Sequence, residues 1–235
     1  QGLKNAVADQ FVKLGADKLI VQAAGGGFGP PGTGVSVYLT EKDKEVIEKT
    51  KGVDIAVGRL IRTVKLEFKD DVKYSYAVSL PKNKEELDLI IEANDYQLAQ
   101  GHFLDNTNTF EVITSLHLVD DFFEEKIHLR NKILIQGKEF TITGLLKESG
   151  NPQKDHSFIV PEGTLREILQ LNDEYDLIAV RVKAGEDPTI VTENIKKELR
   201  QAHHLKEGKE DFTVQSPQQL IASLNTILLI IEGVL

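Results

Sequence analysis

The stretch GGGFGPPGTGVSV, residues 25–37, carries the glycine spacing of a phosphate-binding loop. In G-x-x-x-x-G-K-[ST], backbone N–H groups cradle the phosphates, the lysine reaches the β and γ phosphates, and the hydroxyl holds magnesium. Gly29, Gly34 and Ser36 fall on the pattern, but Val35 stands where the lysine must be. The loop should also lead straight into a helix, whose N-terminal N–H groups and dipole favour the anion. Instead Val35-Ser36-Val37-Tyr38-Leu39 alternates and is β-branched, which predicts extended chain. A helix start appears only at Thr40, with Asp43 three residues on as a form of the capping box. The stretch therefore reads as a Gly/Pro loop.

The other candidates dissolve in the same way. Glu92 in LDLIIEAND, residues 87–95, could pass for the acidic strand that partners a phosphate loop, but the apolar spacing fits an amphipathic helix. The six histidines, His102, His117, His128, His156, His203 and His204, form no H-E-x-x-H. His203 and His204 are adjacent on an expected helix, where side chains diverge by about 100° and do not share a metal. The carboxylate pairs Asp70-Asp71, Asp120-Asp121 and Glu124-Glu125 read as solvated charge. DNTNT, residues 105–109, lacks the glycine and distal glutamate of a calcium loop and reads as a turn. Ser115 precedes His117 and His156 precedes Ser157, but no G-x-S-x-G elbow marks a nucleophile. No catalytic, cofactor-binding or metal-binding residue is assigned, and the chain is read as a non-enzyme without a cofactor.

Composition narrows the partners. A net charge of −9 offers no overall field for nucleic acid or anionic lipid, so no nucleic-acid partner is expected. With no cysteine, disulfides, thiolate nucleophiles and cysteine metal sites are all removed. There is no methionine either, and the chain begins at Gln1 and ends at Leu235 inside an apolar run, so it is expected to be a piece of something longer. The closing LIASLNTILLIIEGVL is too short, and too interrupted by Glu232, to span a membrane alone. It reads either as the first turns of a helix entering a bilayer or as an amphipathic helix docked on the core.

The elements that would position any site follow from periodicity. Leu3, Val7, Phe11 and Leu14 predict an opening helix over residues 1–14, stopped by Gly15, and KLIVQ a strand. A helix over about Thr40 to Lys51 turns Val46 and Ile47 inward. VDIAVGRLIRTVKLEFK and VKYSYAVSL read as strands joined at Asp70-Asp71, giving βαββ order. The middle is strand-rich: a helix at KEELDLIIEA, a strand at EVITS, and a short helix carrying Leu118, Phe122 and Phe123. KILIQGKEFTITGLL predicts a hairpin around Gly137-Lys138, followed by a buried strand at HSFIV and a helix at TLREILQL. The last third returns to α/β order. LIAVRVKA is a strand, and Asp187-Pro188 caps a helix whose stripe is Val191, Ile195, Leu199 and Ala202. DFTVQ is a strand, and Ser216 with Gln219 forms a capping box for a terminal helix.

In order and spacing, these segments resemble the extracytoplasmic (periplasmic core) domain of MacB-type and FtsX-like ABC transporter permeases over about 220 residues. The likeness rests on GLKNAVADQFVKLGADKLIVQ, LTEKDKEVIEKTKGVDIAVGRLIR, YQLAQGHFLD with His102 where arginine is usual, and NKILIQGKEFTITGLLKESG with Ile142 for valine. HSFIVP and LRQAHHLKEGKEDFTVQSPQQL complete it, the latter through Leu199, His203, Lys206, Gly208, Asp211, Phe212 and Val214. The resemblance implies an α+β (mixed α/β) fold. Its porter-like α/β subdomain is built from both chain ends, residues 1–80 and 177–235, with membrane-proximal helices at 1–14 and 217–235. A smaller mixed α/β subdomain at 81–176 is inserted. It further implies an extracytoplasmic location, at the cell surface or in the periplasm, tethered by flanking transmembrane helices outside this chain. The implied partners are a cytoplasmic ABC ATPase domain reached through those helices, a second permease copy in a homodimer, and an extracytoplasmic adaptor or substrate. The implied work is coupling ATP hydrolysis to export or to mechanical work outside. The alternative is an FtsX-like module that recruits and regulates an extracytoplasmic protein.

Overall fold

A computed structural model describes residues 15, 17–25, 37–104, 110–216 and 219. The expected helices at 1–14 and 217–235 (Gln219 apart), the turn at 105–109 and the glycine loop between residues 26 and 36 lie outside the described residues. The chain forms two compact units, one of residues 1–58 with 174–235, the other of residues 59–173. Helices and strands are mixed in both, as the α+β expectation required.

The first unit is built on a four-stranded sheet in the order β13-β1-β12-β3, from Phe212–Gln215, Lys18–Ala23, Leu177–Val182 and Val53–Arg59. β1 runs antiparallel to both neighbours, with Val21 opposite Ile178 on one side and Val214 on the other. Alternation decides the inward set: Leu19 and Val21, Ile178, Val180 and Val182, and Phe212 and Val214 are all buried. A two-stranded ladder pairs β2 (Leu39–Thr40) with β11 (Glu174–Tyr175). Helix α1 (Glu41–Glu48) starts five residues beyond Ser36, so the glycine loop does not lead directly into a helix.

The second unit holds β4 (Ile61–Phe68), β5 (Asp71–Leu80), β6 (Leu98–Gly101), β7 (Glu111–Ser115), β8 (Lys132–Ile135), β9 (Lys138–Leu146) and β10 (Ser157–Pro161). Their order is β6-β9-β7-β10-β5-β4-β8, and β8 pairs back onto β9. Six strands thus close a ring, leaving β6 as a flank on β9. Closure removes the open edges that a flat sheet would present. Val64, Leu66, Ala77, Ile133, Ile135, Phe140 and Ile142 are buried within this unit. Helices α2 (Lys84–Asn94), α3 (His117–Asp121), α4 (Pro152–Asp155) and α5 (Glu162–Leu169) belong to the same unit.

Three boundaries differ from the sequence expectation. The expected boundary places residues 61–80 with the chain ends, yet β4 pairs with β8 and β5 pairs in parallel with β10, so both are staves of the ring. The run VDIAVGRLIRTVKLEFK is accordingly two strands. It breaks at Leu60, whose N–H donates to the Ser79 hydroxyl at 2.8 Å while its carbonyl accepts from Ser79 N–H at 2.9 Å. On the return the division falls before Glu174 rather than before Leu177, because β11 pairs with β2 of the first unit.

The hairpin turns are each shifted one residue from their expected place. Ile135 faces Lys138, so the tight turn is Gln136-Gly137, with φ of 51° and 76°. Positive φ at both central residues is the type I′ requirement, with glycine second. Phe68 faces Asp71, which makes Lys69-Asp70 the other turn.

Candidate functional site

The most organised polar cluster in the first unit sits where α6 (Pro188–Ala202) ends. Asp187 caps the helix start, accepting from Thr189 N–H at 2.8 Å, and Pro188 fills the first helical position. Val191, Thr192, Ile195 and Leu199 are buried. Ala202, expected in that stripe, is exposed, because the helix ends there and the inward row stops at Leu199.

The next residue, His203, takes over. Its Nε2 lies 2.7 Å from Asp43 Oδ1 and its Nδ1 2.8 Å from Asp211 Oδ1. The other Asp43 oxygen accepts from Thr40 N–H at 2.7 Å and from the Thr40 hydroxyl at 2.9 Å, so one carboxylate caps α1 and holds the imidazole. The Phe212 ring meets the imidazole edge-on at 5.7 Å, and Arg200 pairs with Glu210 at 2.9 Å beside it. Burial pulls the His203 pKa down, but the hydrogen bonds and charges of Asp43 and Asp211 outweigh it and the net is a raised value. A protonated ring donates from both nitrogens, which matches two carboxylate acceptors.

With both ring nitrogens engaged, His203 has none left to take a substrate proton or to ligate a metal. What the cluster does is join three elements: the start of α1, the end of α6 and the approach to β13. Strand β13 then runs into Ser216 and Gln219, whose expected capping box is present, with Ser216 N–H donating to Gln219 Oε1 at 2.9 Å and Gln219 N–H to Ser216 Oγ at 3.2 Å.

The remaining candidate residues do not assemble into a reactive site. His117 and His156 do meet, edge-to-face at 4.8 Å. The nearby hydroxyls, however, serve the backbone: Ser115 Oγ accepts from His117 N–H at 3.1 Å, and Ser157 Oγ donates to the Lys154 carbonyl at 2.7 Å. Asp71 accepts from Glu124 N–H, Asp120 pairs with Lys126, and Glu125 pairs with Lys69. Glu92 lies on α2, a helix as expected. His128 uses its backbone N–H on Asn131, and His204 has a left-handed backbone, φ 55°, just past α6. Among the described residues no group of three or more His, Asp or Glu is disposed to hold a metal ion, and no helix is long and apolar enough to cross a membrane. Sequence reasoning missed the role of His203 because its partner Asp43 is 160 residues away. The local signals were the Thr40–Asp43 cap and Asp211, eight residues past His203.

Comparison with known proteins places this geometry. The sequence model of the MacB-like periplasmic core domain matches residues 1–198. An uncharacterised ABC transporter permease of Methanocaldococcus jannaschii is 27% identical over 228 residues, covering 97% of this chain, which spans 54% of that relative's length. Among solved structures, the periplasmic region of MacB from Actinobacillus actinomycetemcomitans superposes with a TM-score of 0.68 at 13% identity, covering 93% of this chain and 97% of that one. The extracellular domain of the ABC-type transporter YknZ from Gram-positive bacteria gives 0.63 at 14%, with coverages of 84% and 99%. A domain of a putative permease from Porphyromonas gingivalis gives 0.53 at 16%, with coverages of 86% and 90%. At these identities the structural likeness speaks to the fold.

Proposed function

The chain belongs to the family of MacB-like periplasmic core domains, a class of permease domains rather than of enzymes, and we propose that it couples cytoplasmic ATP hydrolysis to movement outside the membrane. On this reading it is the extracytoplasmic part of an ABC permease homodimer, joined through flanking membrane helices to a cytoplasmic ATPase. The movement it receives drives export, or works on an extracytoplasmic substrate or adaptor. The observation that carries the reading is how the chain enters and leaves the first unit. β1 and β13 are antiparallel neighbours, with Ile20 opposite Gln215, so the start of β1 and the end of β13 lie at the same end of the sheet. The chain therefore enters β1 and leaves β13 at the same end of the sheet. Two attachments at one end of a sheet would pass a rotation on as a rigid body, whereas a loose joint would absorb it. The His203 cluster supports that role by tying the approach to β13 to α1 and α6.

The test uses the intact permease with its ATPase. Glycine pairs inserted between Leu3 and Val7 should leave ATP hydrolysis running while export or partner activation falls. Export that stays coupled to turnover would defeat the mechanical reading. The recruiting alternative draws on one observation, the exposure of Val72 and Tyr74 on the same face of β5. Tyr74→Ser in the intact permease would then release an extracytoplasmic protein partner while ATP turnover continues.

A further inference from the structure

We propose that the unit formed by residues 59–173 carries a binding recess for a carboxylate borne on a short aliphatic group, seated at the bulge of β9. The inference is independent of the coupling reading. Along the β7–β9 ladder Val112 faces Ile142 and Ile113 faces Gly144, so Thr143 is an extra residue with no partner position. The bulge turns the Thr143 carbonyl toward the end of β6, where it accepts from His102 N–H at 3.0 Å. The backbones approach so closely here that a Cβ on Gly101 would lie 2.1 Å from the Thr143 carbonyl oxygen, and one on Gly144 2.6 Å from the His102 carbonyl oxygen. Bare backbone therefore meets bare backbone on this side of the recess.

Beside it lies a recess of about 150 Å³ lined by Gly101, His102, Leu129, Arg130, Ile142 and Thr143. Arg130 is held in a left-handed conformation, φ 68°, with its N–H on the Ile142 carbonyl at 2.8 Å. A residue other than glycine rarely takes that conformation, so the turn places Arg130 on this rim at some conformational cost. Among the described residues no carboxylate forms an ion pair with it. On the other rim His102 Nδ1 is engaged with the Phe103 carbonyl at 2.7 Å, which leaves Nε2 as the ring nitrogen for a ligand. The Thr143 hydroxyl is buried and makes no hydrogen bond within the protein.

The planar guanidinium fork matches a carboxylate in two parallel hydrogen bonds. Leu129 offers an aliphatic wall, which a fully hydrated inorganic anion would gain nothing from and a short branched tail would. At about 30 Å³ per water the recess has room for roughly five waters, the scale of a five-carbon acid. That chemistry is shared by a free branched-chain acid and by the C-terminus of a peptide ending in leucine.

The test is an amide-resolved NMR titration of the full 235-residue chain with four probes: isovalerate, an acetylated dipeptide ending in leucine as its acid, the same dipeptide as its amide, and inorganic phosphate. The acids should shift Gly101, His102, Arg130 and Thr143 saturably, at a millimolar Kd in keeping with their size, and the amide should not. Tighter binding of the dipeptide acid than of isovalerate identifies a chain terminus as the source, and equal binding identifies a free acid. Arg130→Asn, a residue that tolerates this backbone, should preserve the spectrum and weaken both acids roughly tenfold or more. Absence of saturable shifts, equal shifts from the amide, equal shifts from inorganic phosphate, or undiminished binding by the well-folded Arg130→Asn variant would each overturn the proposal.

Discussion

Replacing Asp43 by asparagine should make the stability of the first unit respond differently to pH, and the size follows from the contacts. Asp43 gives one oxygen to His203 and the other to Thr40. Asparagine keeps one acceptor, which can still cap α1 through Thr40 N–H, but it brings an NH₂ group to the imidazole. With His203 protonated, a charge-assisted bond of about 1.5–3 kcal/mol is lost and two donors are left facing each other, so the cost is roughly 2 kcal/mol or more. With His203 neutral, Nδ1–H donates to Asp211 and Nε2 accepts from the new amide, so the variant is matched and the natural carboxylate is not. The direction with pH is fixed by linkage. The folded His203 pKa is raised above its ordinary 6.5, so its stabilisation is complete below that value and is lost as pH rises through the folded pKa. Thermal unfolding of both proteins at pH about 5.5 and about 9 should therefore show the variant lower by roughly 4–8 °C in acid, with the gap closing or inverting in base. An equal gap at both pH values, or a His203 imidazole titrating by NMR at or below its ordinary value, would refute the reasoning.

Leu199→Ala, at the buried end of the α6 stripe, should cost about 2–5 kcal/mol in denaturant unfolding through the cavity it leaves. Two glycines with similar positive φ separate backbone strain from steric clash. Gly137→Ala, with open space around its Cβ, should cost about 1 kcal/mol, whereas Gly101→Ala should exceed it several-fold because its Cβ meets the Thr143 carbonyl. Thr143→Val removes a buried hydroxyl with no partner, so unfolding experiments should find it neutral or stabilising.

Local chemistry was legible where a few neighbouring residues decide it. Asp187-Pro188, Thr40 with Asp43 and Ser216 with Gln219 are helix starts written within four residues, and each makes the hydrogen bonds its spacing predicts. The β8–β9 turn shows where alternation runs out. Moving the turn from Gly137-Lys138 to Gln136-Gly137 changes Ile133's partner from Ile142 to Phe140, and both registers bury apolar side chains on one face. Turn dihedrals decide between them, and the hydrophobic pattern does not. The break at Leu60 carries no glycine or proline, and its cause, Ser79, lies nineteen residues on. The His203 cluster was illegible for a like reason, since Asp43 on α1 lies 160 residues from it, although Asp211 lies only eight away.

On the proposed coupling, ATP binding in the cytoplasm moves this domain outside the membrane. This chain has no cysteine, so a single spin label at the exposed Glu207, introduced as Glu207→Cys, reports on the first unit without competing sites in the chain. The distance between the two labels should be measured in the intact permease with its ATPase, nucleotide-free and with ATP trapped before hydrolysis. Coupling should give two distinct distance distributions, and loss of the ATP-dependent one when glycine pairs are inserted between Leu3 and Val7. One unchanged distribution in both nucleotide states would contradict it.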